Sequence, residues 1–131
     1  MTETIDFELV SPEKLLFSEP VEMVVVPGVE GDLGVLPGHA PLIASLRPGV
    51  IDIHEGGSIK KQIFVGGGFC EIGSSRCTVL ATEAIPTDQI DKSKALEREA
   101  EVKKQESDPN TDKTKLERER RIAQAMVAAL N

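Results

Sequence analysis

Up to about residue 86 the apolar residues fall in short runs separated by turn-forming residues, and beyond it they recur at helical spacing in a dense background of charge. Strand-like runs occupy residues 7–10, 14–17, 21–26, 42–46, 50–53, 59–65, 69–72 and 77–81, with Pro20 separating the second from the third. Val24, Val25 and Val26 are β-branched and suit a pleated, half-buried surface. The clearest period of two lies at 50–53, with Ile51 and Ile53 on one face and Val50 and Asp52 on the other. Arg47, Pro48 and Gly49 form one turn signal; Glu55, Gly56, Gly57 and Ser58 form another. Residues 73–76 mark a hairpin. With Ser74 and Ser75 at its centre, Ile72 faces Cys77 and Cys70 faces Val79, so the two cysteines become diagonal neighbours on one face. Turns recurring about every 8–12 residues predict an all-β sandwich or flattened barrel.

Two glycine-rich stretches interrupt the strands. Residues 27–41 hold four glycines and three prolines, which excludes helix and predicts two tight turns joined by a very short strand. Gly66, Gly67 and Gly68 end a strand and permit close backbone approach. They lack the Lys-Ser/Thr pair and helix start of a phosphate-cradling loop, so they predict a bulge or crossing.

After Pro86, residues 88–106 contain neither Gly nor Pro and predict a helix with Thr87 as N-cap and Asp88 and Asp91 in the first turn. Ser107, Asp108, Pro109 and Asn110 break it. Thr114 and Glu117 offer a capping box for a second helix reaching Leu130, with Thr111 or Asp112 as alternative starts. The first helix has a thin apolar face with Leu96 and Ala100 as its best pair. The second carries Leu116, Ala123, Val127 and Leu130, widened by Ile122 and Met126. Glu99 with Lys103 and Glu117 with Arg121 add i,i+4 pairs of about 0.2–0.5 kcal/mol each. The chain is therefore α+β, with a β-sandwich domain over residues 1–86 and an antiparallel helical hairpin over 87–131. So little apolar surface predicts a loosely held hairpin able to detach.

Composition narrows the function. The formal net charge is −7 and aromatic residues make up 3% of the chain. Residues 1–86 carry five Lys and Arg against twelve Asp and Glu, and residues 87–131 carry ten of each. An acidic body with few aromatic faces argues against nucleic acid. No apolar run approaches the roughly 18–20 residues that span a bilayer, so membrane association is expected only through a protein partner. Cys70 and Cys77 give no disulfide framework and predict buried thiols rather than a redox pair. No metal-ligand spacing or nucleophile motif is visible, and an enzyme built on Cys70, Cys77 or His39 has almost no support. His39, between Gly38 and Ala40, either fixes its turn through a nearby carbonyl or offers an exposed docking contact.

The stretch Gly31-Asp32-Leu33-Gly34-Val35-Leu36-Pro37-Gly38-His39-Ala40-Pro41 closely resembles the signature of the epsilon subunit of F-type ATP synthases, called delta in mitochondria. Residues 7–12, 46–50, 64–69 and 78–81 resemble further elements of that family in the same order, followed by two charged helices. The resemblance implies a ten-stranded β-sandwich and a two-helix hairpin in a non-catalytic subunit of the rotor, at the foot of the central stalk. The sandwich would grip the gamma subunit and the ring of c subunits. Glu30, Gly31 and Asp32 would face basic loops of the c ring, and Ser11 and His39 would lie toward gamma. No catalytic residue, metal or required cofactor is implied.

In bacterial members the hairpin folds down on the sandwich or extends to the alpha and beta subunits and restrains ATP hydrolysis. Some members bind ATP there through an Ile/Leu-Asp-x-x-Arg-Ala motif. Ile90, Asp91, Lys94 and Ala95 are similar, with lysine where the family has arginine, which loses the planar fork. The alternative is a helix start with a favourable Asp and an exposed Lys. Arg118, Arg120 and Arg121 either meet an acidic segment of the beta subunit or form a solvated face. The resemblance implies a peripheral place on the cytoplasmic face of the bacterial inner membrane. The rival emphasis is a regulatory ATP sensor or inhibitor acting mainly through the hairpin.

Overall fold

The computed structural model describes residues 3–130. Ten strands come first: β1 (Ile5–Val10), β2 (Leu15–Val21), β3 (Met23–Gly28), β4 (Gly31–Val35), β5 (Leu42–Leu46), β6 (Gly49–Glu55), β7 (Ser58–Val65), β8 (Gly68–Ile72), β9 (Arg76–Ala81) and β10 (Ala84–Pro86). A single 3-10 turn at Thr87–Gln89 leads to helices α1 (Lys92–Gln105) and α2 (Lys113–Ala128). The strands pair in the order β10-β7-β6-β3-β5-β8-β9-β1-β2, with β4 beside β3. Pairing is antiparallel except between β1 and β9, which run parallel.

The sheet curls so that β2 returns over β7. Lys60 Nζ reaches Glu19 at 3.6 Å, and Lys61 Nζ lies 4.9 Å from the centre of the Phe17 ring. Between the layers, inward positions repeat every second residue: Ile5, Phe7 and Leu9; Ile51 and Ile53; Cys70 and Ile72; Cys77 and Val79. A second, separate cluster of Val102, Leu116 and Ala123 holds the hairpin together.

Local corrections have identifiable causes. Pro20 does not end a strand; it sits inside β2, at the edge of the sheet, where its missing N–H costs no ladder bond. The first helix starts later than expected, because Thr87 belongs to the 3-10 turn and Asp91 is the N-cap, accepting from the Lys94 N–H at 3.2 Å. Asp112 caps the second helix, the alternative start, taking the N–H groups of Thr114 and Lys115. Leu96 and Ala100 face outward, and α1 buries Ala95 and Val102 instead. Glu117 pairs with Arg121 as expected, at 3.4 Å.

Cys70 and Cys77 are fully buried free thiols, opposite Val79 and Ile72 respectively. Burial pushes both thiols up, Cys77 from 9.0 to about 12. Iodoacetamide at pH 8 should therefore leave both unmodified in the folded chain and alkylate both in denaturant; mass spectrometry reads this, and modification of the native chain would sink it. The unfolded thiols ionise first, so this contribution to stability is intact below the ordinary pKa of 9.0 and is lost as pH rises toward about 12.

Candidate functional site

The β3–β4 hairpin turns on two residues, Val29 and Glu30, with Gly28 opposite Gly31. A side chain at Gly28 would put a Cβ 2.6 Å from the Gly31 carbonyl oxygen, so this close turn requires glycine there. Arg47 ties the tip down: Nη1 donates to the Gly28 carbonyl at 2.5 Å and Nη2 to Asp32 Oδ1 at 2.6 Å. Glu30, Gly31 and Asp32 are thus brought together at one exposed tip. Asp32 already has a cation in its own chain, whereas Glu30 makes no ion pair among the described residues. Beside the tip lies an open depression of about 490 Å³, lined partly by Val29, Leu33, Leu42 and Ile43.

Next to it, the outward face of β5, β8, β9 and β1 carries a group of exposed apolar side chains beside polar and acidic ones. Register places Ser45, Phe69, Leu80 and Val10 in one row across the four strands, and Ile43, Glu71, Thr78 and Glu8 in the next. Ile43 is 71% exposed, Phe69 47% and Leu80 40%. Exposed apolar side chains grouped on a solvent-facing sheet are a candidate docking surface. Sequence reasoning missed it, although β5 and β8 carry apolar residues in both phases of the alternation, the pattern of strands covered on both faces.

Ser11 and His39 stand at opposite ends of this face. Ser11 follows β1, and its N–H and Oγ both donate to the Lys14 carbonyl, at 2.9 and 3.3 Å, closing the turn into β2. His39 lies in the loop before β5. Its N–H donates to the Leu36 carbonyl at 3.2 Å and Nδ1 donates to the Ala40 carbonyl at 2.6 Å, the turn-fixing arrangement. The Gly38 N–H donates to the Ser74 carbonyl at 2.7 Å, which tacks this loop to the β8–β9 turn.

On the hairpin, Ile90, Asp91, Lys94 and Ala95 gather at the start of α1. The Asp91 carboxylate is engaged as the cap, Lys94 is exposed and Ala95 is buried. Arg120 is held by Glu106 at 2.9 Å and by Glu117, and Arg121 by Glu117. Arg118 makes no ion pair among the described residues, and it lines a cleft of about 950 Å³ between α2 and the sandwich, with Arg47, Lys113 and Arg121.

The sequence model of the family described as ATP synthase, Delta/Epsilon chain, beta-sandwich domain, matches residues 4–87. The ATP synthase epsilon chain of Rhodospirillum rubrum is 48% identical over 131 residues, covering 98% of each chain. That of Paramagnetospirillum magneticum is 50% identical, covering 99% of each. Among solved structures, a chain of the Euglena gracilis mitochondrial ATP synthase, in an assembly of OSCP, F1 and c-ring, superposes with a TM-score of 0.82 at 27% identity, covering 98% of this chain and 82% of that one. A chain of the Tetrahymena thermophila mitochondrial ATP synthase shares the fold, with a TM-score of 0.66 at 12% identity and coverage of 99% and 98%. Sandwich, hairpin and full-length likeness agree: the chain belongs to the epsilon-chain family of ATP synthases.

Proposed function

We propose that the chain is a non-catalytic rotor subunit of the proton-translocating F-type ATP synthase, coupling rotation of the c ring through gamma to ATP synthesis. The observation that carries this reading is the exposed apolar face of β5, β8, β9 and β1, bounded by Ser11 and His39. It is a surface built to be covered, and gamma is the partner assigned to it. The Euglena neighbour, taken from an assembly that includes F1 and c-ring, supports that setting. Torque has to cross the joint without slack. A curled ten-stranded sheet with a contiguous side-chain core suits this, because packed interiors transmit strain rather than absorb it. The β3–β4 tip presents Glu30 to the polar loops of the c ring, with Gly31 and Asp32 shaping the turn behind it.

The hairpin is assigned a second role, restraint of ATP hydrolysis through contacts of Arg118, Arg120 and Arg121 with the alpha and beta subunits. The separation of its apolar cluster from the sandwich core supports a movable element. No cofactor enters the coupling role. ATP enters only as a regulatory ligand of the hairpin near Ile90, Asp91, Lys94 and Ala95, which titration of the full chain with ATP tests. No helix of the described chain is long and apolar enough to cross a membrane. The location proposed is peripheral, through the complex, on the cytoplasmic face of the bacterial inner membrane.

The test is reconstitution of the catalytic and membrane sectors with the full chain or with a chain ended after Pro86. Both should restore coupled proton pumping, and only the full chain should slow hydrolysis. Pumping that stays uncoupled with the full chain would overturn the rotor assignment. Equal hydrolysis with both would remove the brake and leave the coupling role standing.

A further inference from the structure

Three consecutive glycines lie beside Glu83, whose carboxylate forms the only ion pair from sandwich to hairpin among the described residues. The backbone of residues 66–67 is laced to residues 82–83. The Gly66 N–H donates to the Glu83 carbonyl at 2.9 Å, the Thr82 N–H to the Gly67 carbonyl at 3.1 Å, and Thr82 Oγ1 to the Gly66 carbonyl at 3.2 Å. The Glu83 side chain then lies over Gly66. A Cβ at that glycine would sit 2.6 Å from Glu83 Cγ and 2.9 Å from Oε1. A side chain at Gly66 would push Glu83 out of this position.

From that position Glu83 grips Arg98 on α1 with both oxygens. Nη1 donates to Oε2 at 3.0 Å and Nη2 to Oε1 at 2.8 Å. The other side of the same guanidinium is held by Glu119 on α2, through Nε and through Nη2 at 3.1 Å. The Arg98 side chain is 28% exposed and those of Glu83 and Glu119 are 37% and 38%, so these charge-assisted bonds are partly shielded from water. The two carboxylates raise the Arg98 pKa, opposing the effect of burial. An apolar seat accompanies the pair. By strand alternation Phe64 points away from the sandwich core, yet it is fully buried, opposite Val50 on β6, the strand that α2 contacts.

We propose that Glu83, seated on Gly66, and Arg98 form a latch that holds the helical hairpin down on the sandwich. Glu119 belongs to the hairpin and travels with Arg98. Undocking therefore breaks only the Glu83 half and never leaves a bare guanidinium, the state that makes severing a buried pair costly. The latch can open and close reversibly, and its strength is set by one carboxylate. The proposal rests on the reading that the hairpin is a movable unit, and it assigns that movement to residues outside the Ile90 to Ala95 stretch.

The test places spin labels on the full chain at two exposed positions, Ser58→Cys and Ser107→Cys, and measures their distance distribution. Cys70 and Cys77, being buried, stay unlabelled. Glu83→Gln keeps the side-chain shape and removes the charge, and should raise the ratio of undocked to docked hairpin about tenfold. Glu119→Gln should leave docking nearly unchanged, because that bond lies within the hairpin. Phe64→Ala, which removes the apolar seat, is the positive control. If Phe64→Ala releases the hairpin and Glu83→Gln does not, the latch is overturned. If neither releases it, the movable hairpin fails and the latch fails with it.

Discussion

Replacing Ile43 and Phe69 together by lysine is expected to leave the isolated chain folded and to abolish the proposed binding to gamma. Neither side chain belongs to the sandwich core, and both point outward at 71% and 47% exposure. Ile43 pairs across the strands with Glu71, so a lysine there gains an opposite charge, and Phe69 stands between Ser45 and Leu80, where a lysine meets no like charge. A chain with net charge −7 tolerates two added cations. In the docked state both ammonium groups would sit in the apolar centre of the contact. Each costs at least about 2–3 kcal/mol there, from lost apolar burial and from stripping water off the ammonium, which at position 69 has no opposite charge across the strands. Together they amount to at least about a thousandfold in affinity. Co-purification or calorimetry with gamma reads the loss, and circular dichroism with a thermal melt checks the fold. Binding within threefold of the parent would move the gamma contact off this face. Glu30→Gln, at the exposed β3–β4 tip, should weaken the proposed c-ring contact far less, since exposed charges contribute about 0–1 kcal/mol.

How far the sequence foretold this surface depends on what each residue signals locally. The β8–β9 register was legible because a polar turn at 73–76 and alternation on both sides leave one consistent pairing, and Cys70 opposite Val79 is the pairing formed. Ile51 and Ile53 were legible for the same reason. β10 was not: three residues are too short to alternate, and it exists because β7 offers it an edge. The inward face of α1 was misread from hydrophobicity. Leu96 is the larger apolar residue, but the buried side of α1 carries Ala95 and Val102, and it is Val102 that clusters with Leu116 and Ala123 of α2. Both helix starts fall on aspartates: Asp112, which spacing left competing with threonines, and Asp91, which it had placed in the first turn behind Thr87. The acids at the β3–β4 tip were singled out through resemblance alone, as an expected c-ring contact. That Asp32 is answered by Arg47, fifteen residues away in sequence, needed the fold. The apolar face at Ile43, Phe69 and Leu80 needed it too, because an apolar strand residue does not say which side of the sheet is the core.

Gly68→Ala is expected to be among the most damaging single substitutions in the chain, destabilising it by at least about 3 kcal/mol. An added Cβ would lie 2.0 Å from the Leu80 carbonyl oxygen and 3.0 Å from the Ala81 Cα, and Gly68 holds φ +139°, a conformation L residues rarely adopt. Both obstacles are backbone, so no rotamer relieves them. Relief has to come from moving the start of β8 away from β9. Gly68 pairs with Leu46 on one side and Ala81 on the other, so the shift opens both ladders at once and drags on Cys70 and Ile72 in the core. It would also displace Phe69, coupling the fold defect to the docking face. Gly34→Ala is the contrasting control. A Cβ added at Gly34 would meet open space, and the residue has no positive φ, so the change should lie within about 0.5 kcal/mol of the parent or stabilise slightly by narrowing the unfolded ensemble. Urea unfolding of the three chains decides the matter. A Gly68→Ala chain within about 1 kcal/mol of the parent would mean that the crossing yields without cost, and that the three glycines are not what brings the strands this close.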